Sequence, residues 1–158
     1  ILAAKHLSEH HLWTDAYARL VLAVGDDGVE TAGDKMTLAY RRHNQKAYAS
    51  AVELFRAALE DPELRTNLRE GHLYNAACAA ALAGRTDLAL TWLGEDLERR
   101  RAARREIETE LERDPTPARE KTLDAQRQFH LGLLEHARVN DPDLASLRDR
   151  ADFAKLFE

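Results

Sequence analysis

Three stretches of this chain carry one stripe of small and large side chains at helical spacing. Ala51, Phe55 and Ala58 stand four and three residues apart within residues 48–59. Ala16, Leu20 and Ala23 repeat that spacing, and Ala89 and Leu93, with Leu97 beyond, repeat it less fully. Ala16 and Ala51 are 35 residues apart, and Ala51 and Ala89 are 38 apart. Residues three and four apart share one helix face, and small ones there let a second helix approach closely. Such a stripe suits a helical hairpin that has no large core of its own and leans on its neighbours.

The rest of the sequence agrees with helices. Ala and Leu are frequent, Val occurs only in isolation, and no segment alternates in the manner of a strand. Glu60-Asp61-Pro62, Asp114-Pro115-Thr116-Pro117 and Asp141-Pro142 read as helix starts. In each, Asp or Thr caps free N–H groups, and proline takes a first-turn position where its missing N–H costs nothing. The expected fold class is all-α.

Each stripe follows a second amphipathic segment and a short turn. In the clearest copy, Leu73 to Ala83 ends at Gly84, a residue suited to the left-handed conformation that stops a helix, and Arg85-Thr86-Asp87 leads on to Ala89. Leu73, Ala76, Ala77, Gly84, Ala89 and Leu93 here, and Leu38, Ala39, Tyr48, Ala51, Phe55 and Ala58 in the copy before, resemble the tetratricopeptide repeat family, a helix-turn-helix unit of about 34 residues. Asp96 stands where the pattern has its last Ala. Ala3, Ala4 and Leu7, then Trp13, Ala16, Leu20 and Ala23, fit a truncated first unit. The resemblance implies one domain over residues 1–158 with repeats at about 1–31, 32–65 and 70–103, stacked as an α-α superhelix. The extra residues near Arg65–Arg69 are expected to lengthen a helix begun at Asp61-Pro62. Residues 95–113 extend the last repeat helix, and 104–158 form the extended helix and C-terminal cap. Within them, Thr116–Val139 reads as a helix with Leu123, Phe129, Leu133, Leu134 and Ala137 inward. Residues 141–157 are similar to the endings of many bacterial tetratricopeptide proteins.

Composition narrows the function classes. The net charge of −5 gives no global pull toward nucleic acid or an acidic membrane. No apolar run approaches the roughly 18 residues a membrane span needs. The lone Cys78 excludes an internal disulfide and fits a reducing, cytoplasmic setting. The chain opens at Ile1, with neither an initiating methionine nor a signal peptide, and is expected to be a fragment or processed form.

Several clusters carry candidate chemistry. His6, Glu9 and His10 spell H-x-x-E-H, two imidazoles and a carboxylate on one helix face, as in zinc hydrolases. The repeat frame puts them in a first helix and its last turn, where a cationic residue faces the negative end of the dipole, and no metal is expected. Arg99, Arg100, Arg101, Arg104 and Arg105 invite a phosphate reading, but residues 95–113 hold six arginines against seven acids, and Glu95–Arg99, Asp96–Arg100 and Arg104–Glu108 stand at pairing distance along a helix. That segment reads as a solvated helix, so nucleic acid is the weaker partner class. Cys78 lacks a catalytic histidine and reads as a structural thiol. The acidic residues from Asp26 to Glu30 lack the ligand alternation of a calcium loop and read as a connector.

Stacked repeats present their first helices as a concave wall, which the resemblance places at Lys5, Met36, Tyr40, His43, Tyr74 and Cys78. Asn75 stands where some members of the family grip a peptide's C-terminal carboxylate. Met36 and Tyr40 replace the basic partners of that clamp, so Asn75 is either a ligand contact or a structural hydrogen-bonding residue. The resemblance implies a non-catalytic interaction module that holds a protein or peptide partner without a cofactor. A homo-oligomer through exposed repeat ends is a further option. The alternatives are a metal-dependent hydrolase at His6, Glu9 and His10 and a nucleic-acid binder at Arg99–Arg105. The groove could also be filled by the chain's own C-terminal helix.

Overall fold

The computed structural model describes residues 29–69 and 71–158; His6, Glu9, His10, Lys5 and the Ala16 stripe lie outside them. All regular structure among the described residues is helical, so the chain is all-α. It divides into two compact units, Ile1–Arg69 and Glu70–Glu158, and the division falls where the third repeat is expected to begin.

In the first unit, α1 (Ala32–Asn44) and α2 (Tyr48–Leu59) form a tightly joined pair. Thr31 opens α1 with a reciprocal cap: Asp34 N–H donates to Thr31 Oγ1 at 3.1 Å and Thr31 N–H to Asp34 Oδ2 at 3.0 Å. Hydrogen bonds from Thr31 hold the Asp34 carboxyl below its ordinary range. Lys46 closes the α1–α2 turn at φ 60°, a left-handed position more often given to glycine. Ala51, Phe55 and Ala58 of α2 are fully buried, the face the stripe required. Asp61 caps α3 (Pro62–Thr66) through Leu64 N–H at 2.8 Å. That helix is one turn and stops. The Asn67 amide and backbone N–H both bond Glu63 C=O, and Gly71 at φ 88° starts a new helix. The expected lengthening through Arg65–Arg69 is therefore corrected to a break.

In the second unit, α4 (His72–Leu82) ends at Gly84, whose φ of 74° lets Arg85 N–H reach Ala80 C=O at 2.8 Å. Then α5 (Thr86–Arg113) runs 28 residues without interruption, about 42 Å long. Ala76, Ala77, Ala79 and Ala80 of α4 and Ala89 and Leu93 of α5 are fully buried, an alanine-lined contact between consecutive helices. No residue of α5 past Leu97 is buried, and its far half runs beside α6 (Pro117–Glu135). Thr116 caps α6 with Pro117 in the first turn, as the sequence requires.

Leu123, His130 and Ala137, seven apart, form the buried stripe of this region. Phe129 is one position off that stripe and is 52% exposed, so its inward placement is corrected. The last turn, His136–Asn140, widens into a π-helix closed by Asp141 N–H on His136 C=O. A 3-10 helix, Pro142–Leu147, and α7 (Ala151–Lys155) end the chain, burying Leu144, Leu147 and Phe153.

Candidate functional site

Of the first-unit candidates, Tyr40 and His43 lie one turn apart on α1, both half-buried. Each ring is steadied from α2: Tyr40 meets Phe55 edge-on with centroids 5.2 Å apart, and His43 meets Tyr48 at 5.5 Å. Edge-to-face pairs of this kind fix a ring while leaving part of it exposed. Met36, by contrast, is 1% exposed and is withdrawn from any exposed wall. A cleft of about 300 Å³ in this unit is lined by Thr31, Gly33, Asp61, Glu63, Leu64 and Asn67. Its Thr31, Asp61 and Asn67 side chains are engaged in capping helix ends, so they converge on no common point.

The second-unit candidates meet a different neighbour. Tyr74 and Cys78 stand one turn apart on α4, and both point at Asp141. Tyr74 Oη donates to Asp141 Oδ2 at 2.6 Å, a short bond to a charged acceptor. The Cys78 thiol donates weakly to the same oxygen at 3.8 Å, and His136 Nε2 lies 3.5 Å from it. The other carboxylate oxygen accepts Asp143 N–H at 2.9 Å, capping the 3-10 helix. Arg148 donates to the Asp141 backbone carbonyl. The chain's own C-terminal segment thus covers this face of α4. Cys78, 3% exposed, is corrected from wall residue to buried thiol.

The electrostatics follow from that covering. Burial, then the hydrogen bond to Asp141, pushes the Tyr74 hydroxyl far above its ordinary range, so it remains a donor. Burial, then the Asp141 and Asp143 carboxylates, pushes the Cys78 thiol up as well. A thiol held protonated is a poor nucleophile. Cys78, Asp141 and Asp143 bring their ligand atoms within 4.8 Å of one another. Both Asp141 oxygens already accept hydrogen bonds, so the set serves as cap and anchor. Asn75 points elsewhere: its amide donates to Gly71 C=O at 2.8 Å, a structural bond in the first turn of α4.

Side chains beyond the predicted set hold the C-terminal segment. Arg150 donates to Thr86 Oγ1 at 2.7 Å and pairs with Asp87 at 2.8 Å, and Arg101 donates to Leu156 C=O at 2.6 Å. A Cβ on Gly94 would lie 3.2 Å from a Leu156 methyl, so glycine there permits the close approach. Three arginines of the run are engaged likewise. Arg100 and Asp96 form a part-buried pair at 2.6 Å with side chains 9% and 7% exposed, and Arg104 stands 3.7 Å from Glu108. Burial, then Arg104, Arg100 and Arg101, lowers the pKa of His130 on α6. Among the described residues, no helix is long and apolar enough to cross a membrane.

Compared with family models, curated proteins and solved structures, the chain finds no match in any of the three.

Proposed function

We propose that this chain is a non-catalytic interaction module of tetratricopeptide type, whose helix pairs present first-helix side chains to a peptide or partner helix. One observation carries the reading. α1–α2 and α4–α5 are built alike, each a helix, a turn closed by a left-handed residue and a second helix with a fully buried small-large stripe. Units of this kind stack, and a stack recognises partners along its first helices. The half-buried rings of Tyr40 and His43 suit that role, since an anchored aromatic contributes area at little ordering cost. Within the same proposal the setting is cytoplasmic, no cofactor takes part, and the partner is protein.

The test is selection of binding peptides from a displayed library on the full chain, followed by affinity measurement on Tyr40→Ala. A tenfold or greater loss, about 1.4 kcal/mol, is expected when a central aromatic is removed. Selected peptides that bind Tyr40→Ala and Tyr74→Ala as tightly as the parent chain remove both rings from the account.

A further inference from the structure

We propose that the Asp141–Leu147 segment is an internal ligand of α4, an autoinhibitory occupant that a partner peptide displaces. The inference rests on the interaction reading above and adds what regulates one of its faces and which peptide that face prefers.

The segment uses α4 as a bound peptide uses a receptor. Asp141 supplies one buried carboxylate to the Tyr74 hydroxyl and the Cys78 thiol. Leu144 and Leu147, three and six residues on, are fully buried behind it. The result is one anionic anchor followed by two apolar anchors along a 3-10 helix that packs on α4. A competing ligand needs the same chemistry, an acidic residue followed by leucines at the third and sixth positions. Tyr74 sits where the sequence placed a partner contact, and the chain's own aspartate satisfies it.

The attachment is poised to open. The 3-10 turns of the segment have long backbone bonds, Leu144 N–H to Asp141 C=O at 3.3 Å and Arg148 to Ala145 at 3.4 Å, while the Arg150 to Leu147 bond that follows is 3.0 Å. The bonds closing α4 are 2.8 Å from Arg85 to Ala80 and 2.9 Å from Ala83 to Ala79. A π-turn joins the segment to α6, and Arg150, which ties it to Thr86 and Asp87, is itself partly exposed. Short helical turns with weak ladders and rim-side ion pairs belong to the low end of local stability.

Two measurements on the full chain decide the matter. Native-state hydrogen exchange is expected to show Leu144, Arg148 and Leu156 exchanging roughly tenfold or more faster than Ala83 and Arg85, by an opening less sensitive to denaturant than global unfolding. In parallel, a fluorescent peptide of residues 140–158 is titrated into the parent chain and into Asp141→Ala, whose helicity is checked by circular dichroism. The peptide is expected to bind Asp141→Ala about tenfold tighter than the parent, and a peptide carrying the same substitution to lose that binding. Equal protection of the segment and α4 in the unsubstituted chain overturns this inference alone and leaves the interaction reading to the α1 face. A segment that opens over a face that takes no peptide shows that α4 is not receptive, which overturns this inference together with that part of the interaction reading.

Discussion

Cys78 is the only cysteine in the 158-residue chain, and its burial under Asp141 turns it into a reporter. A thiol reagent reaches it when the C-terminal segment lifts from α4 or the unit unfolds. Consider Asp141→Ala. It removes the side chain that caps the 3-10 helix, a loss of about 1 kcal/mol. It also leaves the half-buried Tyr74 hydroxyl without the carboxylate it donates to, costing about 1 kcal/mol more. The two together weaken the closed state by about 2 kcal/mol, so labelling accelerates roughly 30-fold.

Tyr74→Phe removes the same hydrogen bond from the other side while keeping the cap, and the expected acceleration is about fivefold to tenfold. The double variant carries the sharper information. Once Asp141 is gone, the Tyr74 hydroxyl is a liability, so Tyr74→Phe on that background adds nothing or reverses part of the loss. The assay is the pseudo-first-order rate of a chromogenic disulfide reagent in excess at about pH 8, where an exposed thiol has ordinary reactivity. Rates then compare opening constants, since the open-state thiol is the same in every variant. Acceleration by Asp141→Ala of less than roughly threefold, under about 0.7 kcal/mol, would falsify the anchor. So would a double variant whose rate is the product of the two singles.

Three further outcomes follow from individual residues. Lys46 spends its φ of 60° against a penalty that glycine does not have, so Lys46→Gly is expected to stabilise the first unit by about 1 kcal/mol in urea unfolding; a loss would show that the Lys46 side chain makes a needed contact. Asp96→Ala removes the carboxylate to which Arg100 donates at 2.6 Å and is expected to cost about 2 kcal/mol, whereas replacing both by Leu and Met costs clearly less; equal costs would refute the pairing account. His130 has a lowered folded pKa, from burial first and then from Arg104, Arg100 and Arg101, so it takes up fewer protons folded than unfolded. Its effect is absent above an unfolded pKa of about 6.5, and stability falls as pH drops below that value, a slope that His130→Gln removes; an unchanged slope in unfolding free energy between about pH 7.5 and 5 counts against it.

Much of the fold was legible because local rules decide it. Asp61, Thr116 and Asp141 cap their helices, Gly84 is left-handed, and α5 runs on past the repeat length, each readable from a few neighbouring residues. At Arg65–Arg69 the helix breaks instead of lengthening, because an Asn67 side chain on Glu63 C=O and a left-handed Gly71 outvote helix propensity. Phe129 was placed inward by its hydrophobicity, but the seven-residue spacing of Leu123, His130 and Ala137 chose a face that a histidine occupies. The candidate site was legible only in half. Tyr74 and Cys78 were singled out by their place on a first helix, yet their partner lies 67 residues from Tyr74 and no spacing rule links Asp141 to them.

The departures from the repeat pattern explain one another. Asp96 stands where the pattern has alanine, and a lone buried carboxylate there would be costly. Arg100, one turn on, neutralises it, and the neighbouring Arg101 and Arg104 act electrostatically on His130 of α6. The same arginine stretch that resembles a phosphate-binding run therefore sits beside the appended helix, and Arg101 also reaches the last residues of the chain. Tyr74 and Cys78 depart from the alanines around them in the same way, each matched to a polar group of the C-terminal segment. Tyr74 and Cys78 thus mark where a polar group of another element docks on the α4–α5 pair. That reasoning assigns Arg100, Arg101 and Arg104 to internal contacts.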